Sequence, residues 1–175
     1  MSQSEIPCEE LRKEIVEELR KREWCYLATS LQDYVRVGLM RMVSKDLKIW
    51  CYTDNRSRKY KQIEENPKVA LADRNLQIEG TATLKGHPLD LENSEFIESY
   101  RNNQPENYER TSKRQFKRSR PEFRVIEIHP TRIALLKMGT KFQENEYLTL
   151  DLKKEKVYRF TSNSNFESPV YQKYF

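Results

Sequence analysis

The chain has 175 residues, enough for one proper core, with 37 % apolar residues, 34 % charged residues and a net charge of +5. The apolar supply is thin, but it falls in periodic segments, which excludes a disordered chain, and no run approaches the roughly 18 apolar residues of a membrane span. Cys8, Cys25 and Cys51 are odd in number, widely spaced and form no CxxC pair, which argues against a disulfide framework or a structural zinc site.

The first ten residues are too acidic and polar for a signal peptide, so a cytoplasmic protein is expected. Residues 9–23 read as an amphipathic helix with Leu11, Ile15, Val16 and Leu19 on one stripe, expected to act as a lid. Residues 24–31, 35–43 and 49–52 read as three strands. Short turns at Gln32-Asp33 and at residues 44–48 join them, so they form an antiparallel meander. Residues 53–57 are polar. From Arg58 the period changes to that of a helix, with Tyr60 and Ile63 on one face, and Asn66-Pro67 stops it. Strands follow at 69–72 and 77–85, separated by Asp73-Arg74-Asn75.

A helix is expected over residues 91–100, a break at 102–107, and a basic helix or loop over 108–118. Two strands, 123–128 and 131–138, flank His129-Pro130, and the tail offers edge strands or an extra hairpin at 147–150 and 156–160. The fold expected is α+β and mainly β, a six-stranded antiparallel barrel with flanking helices in one domain. Its parts are an N-terminal helix (1–23), the barrel (24–138) with a helical insertion (88–120), and a C-terminal extension (139–175).

The chemistry concentrates at the start of the Arg58 helix. The first backbone N–H groups of a helix lack internal partners and carry the positive end of its dipole, so they attract anions. Thr53 and Ser57 add hydroxyls, and Arg56, Arg58 and Lys59 add cations where acidic residues would ordinarily be favoured. That inversion points to a bound anion such as a phosphate monoester.

Elsewhere, residues 110–124 hold seven Lys or Arg against one Glu, with Phe116 and Phe123 interleaved. The segment reads as a solvated or anion-attracting basic loop in preference to a nucleic-acid surface. His87 and His129 each precede Pro and read as turn residues, too few for a histidine-rich metal site, so no metal is expected. No Ser-His-Asp or Cys-His set is present, and no catalytic residue is assigned.

Residues 35–71, with YTDNRSRKYKQIEENPKVAL as their most specific part, and LQIEGTATL after them resemble the FMN-binding split barrel of the pyridoxamine 5′-phosphate oxidase superfamily. The resemblance covers residues 24–84 well and 122–138 loosely. It implies an FMN-dependent oxidoreductase, with a deazaflavin as the alternative cofactor, working on a small-molecule substrate or nicotinamide donor. It also implies a homodimer whose two subunits share each flavin.

Carried over by position, the resemblance has Arg36, Val37, Gly38, Leu39, Met40 and Arg41 run past the flavin. Tyr52 and Thr53 would line its ring and phosphate, Ser57, Arg58 and Lys59 would hold the phosphate, and Gln77 would bond the ring edge. Arg36 and Arg41 are five apart and face opposite sides of a regular strand. Both touch one flavin only if a bulge, expected at Gly38, shifts the register, or if one serves the partner's site. Nothing after Met138 resembles the segment with which true pyridoxamine phosphate oxidases clasp their substrate, and Arg41 stands where they place a Lys. Another substrate than vitamin B6 is therefore expected.

Overall fold

The computed structural model describes residues 8–141 and 145–161. The elements are α1 (Cys8–Arg20), β1 (Trp24–Leu31), β2 (Tyr34–Lys45), β3 (Lys48–Asp54), α2 (Arg58–Glu65), β4 (Lys68–Asp73), β5 (Leu76–Leu84), α3 (Ser94–Asn103), α4 (Pro105–Arg114), β6 (Phe123–Lys137), β7 (Glu146–Asp151) and β8 (Lys156–Thr161). Strands β3-β2-β1-β4-β5-β6 lie side by side, all antiparallel, and a β3–β6 ladder closes them into a six-stranded barrel. β7 and β8 extend the sheet beyond the second half of β6, as the hairpin expected in the tail.

Strict alternation fills the barrel. Cys25, Leu27 and Thr29 of β1, Val69 and Leu71 of β4, and Leu76, Ile78, Gly80 and Ala82 of β5 are buried, while the residues between them are not. β1 turns into β2 through Gln32, which takes a left-handed φ of 53°, as a two-residue hairpin requires of a non-glycine turn residue.

The helices α1 and α2 sit at opposite ends of the barrel. α1 inserts Leu11, Ile15 and Leu19, all fully buried, into the main core, so it is a fixed plug and not a lid. Just after it, Arg22 donates to Glu18, Asp73 and Asn75 and ties α1 to the β4–β5 turn. α2 covers the other mouth, where the buried Gln62 accepts from Thr29 at 2.7 Å and donates to Tyr34 O.

A second apolar cluster lies outside the barrel. Val43, Trp50 and Val125 face outward there beneath Phe96 and Tyr100 of α3 and Phe116 beyond α4. The break expected at 102–107 shrinks to Gln104, because its side chain donates to Met42 O and Pro105 starts α4 at once. The pair of strands expected around His129-Pro130 is one strand, β6. Pro130 lies opposite Gly80 at a shift of register, so its missing N–H falls where the ladder is already displaced. A Cβ at Gly80 would sit 2.6 Å from His129 O, so only glycine permits this approach.

Candidate functional site

β2 pairs with β1 along its whole length from Tyr34 to Arg41, but with β3 only from Met42 to Lys45. Among the described residues, the other backbone edge of residues 34–41 therefore has no strand beside it. The barrel is split there, and the head of α2 stands at the same mouth.

At that head the polar groups gather. Ser57 is extended (φ −69°, ψ 150°), and its Oγ accepts from Tyr60 N at 3.3 Å as the helix cap. The Thr53 hydroxyl, buried at the end of β3, lies 3.1 Å from the Ser57 hydroxyl. Among the described residues no acceptor meets the amides of Arg58 and Lys59, the first two of the helix. Lys59 is half-buried and crosses the strand at Gly38, where a Cβ would lie 3.5 Å from its Cε and 4.0 Å from its Nζ. Neither Arg58 nor Lys59 has a carboxylate partner among the described residues, and no acidic residue lies in the first turn of α2. Two free amides, two hydroxyls and a turned-in ammonium suit a phosphate dianion. The unpaired backbone edge of β2 alongside suits the donors and acceptors of a flavin ring.

Arg56 does not join them. Its guanidinium pairs with both oxygens of Asp54, whose carboxyl it holds down at a pKa of about 2, and it also approaches Glu122. The Asp two positions before Arg56 is a signal available in the sequence. Arg58 is exposed.

The β1–β2 register is unbroken across Gly38, so the strand's faces are those of a regular pleat. Arg36, Gly38 and Met40 share the inward face with Thr29 and Leu27, and Val37, Leu39 and Arg41 share the outward one. The shift of register lies elsewhere, at Glu79/Gly80. Arg36 is exposed at the α2 mouth. The Arg41 guanidinium stacks 4.1 Å over the Trp24 ring and donates to Glu23 and Gln104, with 14 % of its side chain exposed. Tyr52 faces away from Thr53, packing edge-on to Phe116 with ring centroids 4.8 Å apart. Gln77 is exposed on the outer sheet face, beside Tyr26, Val37 and Ala70 along a groove of ≈ 300 Å³. The geometry thus brings together Thr53, Ser57, Arg58, Lys59, Arg36 and Gly38, and it sets Arg41, Tyr52 and Gln77 apart from them.

Much of the basic segment is engaged locally: Lys113 with Glu109, Arg118 with Asp90, Arg120 with Glu122. His129 is part of β6 and bonds Glu127, while His87 is buried in a turn. No group of three or more potential metal ligands occurs among the described residues, and no helix there is long and apolar enough to cross a membrane.

A closed antiparallel barrel, split beside a basic helix head, defines the class: a split barrel with a basic mouth. Within that class the chain belongs to the pyridoxamine 5′-phosphate oxidase family, whose model matches residues 11–137, the barrel and its helical insertion. Among solved structures it is similar to General Stress Protein 26 from Bacillus anthracis (22 % identity over 70 % of this chain and 91 % of that one, TM-score 0.55). It is also similar to Campylobacter jejuni ChuZ (13 %, 95 % and 68 %, TM-score 0.68) and to an F420 reductase (18 %, 67 % and 94 %, TM-score 0.50). At these identities the likeness is one of fold. No curated protein matches the chain.

Proposed function

We propose that the chain is an FMN-binding oxidoreductase that holds the cofactor's phosphate at the head of α2. The observation that carries this reading is the meeting of two acceptor-free helix amides, the Thr53 and Ser57 hydroxyls and the unpaired Lys59 beside the open edge of β2. Bound there, the flavin would supply hydride transfer, chemistry no side chain of the chain can perform alone. The chain's own part is to fix the phosphate through Thr53, Ser57 and Lys59 and to present the backbone of residues 36–41 to the ring. α2 excludes water from the barrel interior behind it.

The substrate reading departs from pyridoxamine phosphate. Arg41 is held by Trp24, Glu23 and Gln104 and is not extended into the mouth. Of the C-terminal extension, residues 142–144 and 162–175 lie outside the described residues. A homodimer is supported by the outer sheet face, where Tyr26, Val35, Val37 and Leu39 are each more than half exposed, an apolar patch of the kind that a second subunit covers. A deazaflavin on the same fold is the second reading, supported by the F420 reductase among the structural neighbours.

The test is the absorbance spectrum of the purified protein, with titration of the cofactor-free protein by FMN and by the deazaflavin, then reduction by each nicotinamide. Tight FMN binding and a yellow, reducible protein are expected. No binding of either compound at millimolar concentration overturns the reading.

A further inference from the structure

Arg124 is a cation whose neighbourhood does not explain it. The β3–β6 ladder pairs it with Thr53, and directly opposed residues of an antiparallel pair project from the same face. That face is the inward one. Ile126 and Ile128, at two and four residues' distance on β6, are fully buried in the barrel core, while Phe123 and Val125 face the other way. Arg124 therefore stands beside the Thr53 hydroxyl, at the mouth headed by Ser57, Arg58 and Lys59.

Its partners are backbone only. One terminal nitrogen, Nη1, donates to Pro121 O and to Phe123 O, and no carboxylate among the described residues neutralises it. The contrast with its neighbours is sharp, because Arg120 and Arg56 share Glu122 and Asp54 between them. Two carbonyls pin one nitrogen of the guanidinium of this half-buried residue and leave its other donors and its full charge unused. A fork fixed in this way is pre-organised for the oxygens of a phosphomonoester.

We propose that Arg124 is a further anion-binding residue of the α2 mouth, reaching the ligand's phosphate from the β6 side while Lys59 reaches it from the β2 side. This rests on the flavin reading for the identity of the ligand but not for its chemistry, which is that of any terminal phosphate seated on Thr53 and Ser57.

The experiment compares the full chain with Arg124→Gln and Arg124→Ala, using FMN, riboflavin and inorganic phosphate as probes and thermal denaturation of the ligand-free proteins as a control. Arg124→Gln retains an amide donor and removes the charge together with the guanidinium fork. The expected result is a loss in FMN affinity on the order of tenfold for both variants, steeper at low salt. Riboflavin affinity should stay within a factor of about two, and the shift in melting temperature given by inorganic phosphate should shrink. FMN and phosphate responses equal to those of the parent overturn the proposal. So does an equal loss for FMN and riboflavin that follows a fall in melting temperature, because that marks a structural arginine. If the parent chain binds no FMN, the flavin reading fails by itself and the phosphate arm alone decides Arg124.

Discussion

Lys59 and Gly38 meet across the open half of the barrel: a Cβ on Gly38 would touch the lysine's Cε at 3.5 Å and stand 4.0 Å from its Nζ. Gly38 has no positive φ, so backbone strain does not reserve the position for glycine. The separation from Lys59 does the selecting. Gly38→Ala should fit at ordinary contact distance and leave FMN affinity within a few-fold, whereas Gly38→Leu should push the ammonium aside. Lys59→Met should cost about 1.5–3 kcal/mol of FMN binding, the worth of a hydrogen bond to a charged group. The exposed Arg58 should cost less when replaced by Ala. Titration by flavin fluorescence measures all four, and a greater loss at Arg58 than at Lys59 would reverse their assigned weights.

Val37 and Leu39 project from the outer face of the same strand, each more than half exposed. Val37→Glu should convert a dimer to a monomer in sedimentation velocity and loosen the flavin with it. A variant that remains dimeric at micromolar concentration would remove this face from the interface.

Arg22 is 6 % exposed and is bonded to Glu18 and Asp73, which are about a quarter exposed. Removing the cation strands Asp73 near the core and leaves Glu18 with Lys21 alone, so Arg22→Ala should cost about 3 kcal/mol, near the lower end of the range for a broken buried pair. Urea denaturation gives the number, and a change under 1 kcal/mol would show that the pair is worth no more than a surface one.

Asp54 titrates at about 2 in the folded chain, held down first by its side-chain bonds from Arg56 and then by the Arg56 amide. In the unfolded chain an Asp titrates near 3.9. The folded value is the lower one, so its contribution is complete above pH ~4 and is lost as pH falls towards about 2. Asp54→Asn should flatten that part of the stability profile and leave the neutral-pH region parallel to the parent's. Profiles that coincide below pH 4 would rule the pair out as a source of acid sensitivity.

The thiols of Cys25 and Cys51 lie 3.9 Å apart inside the barrel, and that of Cys51 is pushed well up, first by the Cys25 sulfur and then by burial. Neither should react with a disulfide reagent at pH 8 until the chain unfolds, while the half-buried Cys8 should. Mass spectrometry after partial labelling separates the three, and early modification of Cys51 would mean that the barrel breathes.

Periodicity made the strands and α2 legible, because each strand alternates and α2 has an unambiguous stop at Asn66-Pro67. It misread residues 123–138 as two strands, since the register shift that accommodates Pro130 is set by Gly80 on another strand. The lid reading of α1 failed for a similar reason. An amphipathic stripe shows that a helix buries one face but not whether it closes over a mouth or fills one. At the mouth, Thr53, Ser57 and Lys59 could be read locally, as neighbours of one helix start. Arg124 could not, because its place beside Thr53 exists only through a ladder between segments about seventy residues apart.

β6 serves two neighbours on one side: residues 123–128 close the barrel against β3, and residues 132–137 carry β7. Ending the chain after Met138 would therefore spare every barrel pairing yet strip six consecutive residues of their outer neighbour, and with them Leu148 and Leu150, both fully buried. What remained would be a bare strand border able to recruit other chains, whereas the hairpin beyond the family's matched region moves that border out to β8, which carries the charges of Lys156 and Arg159.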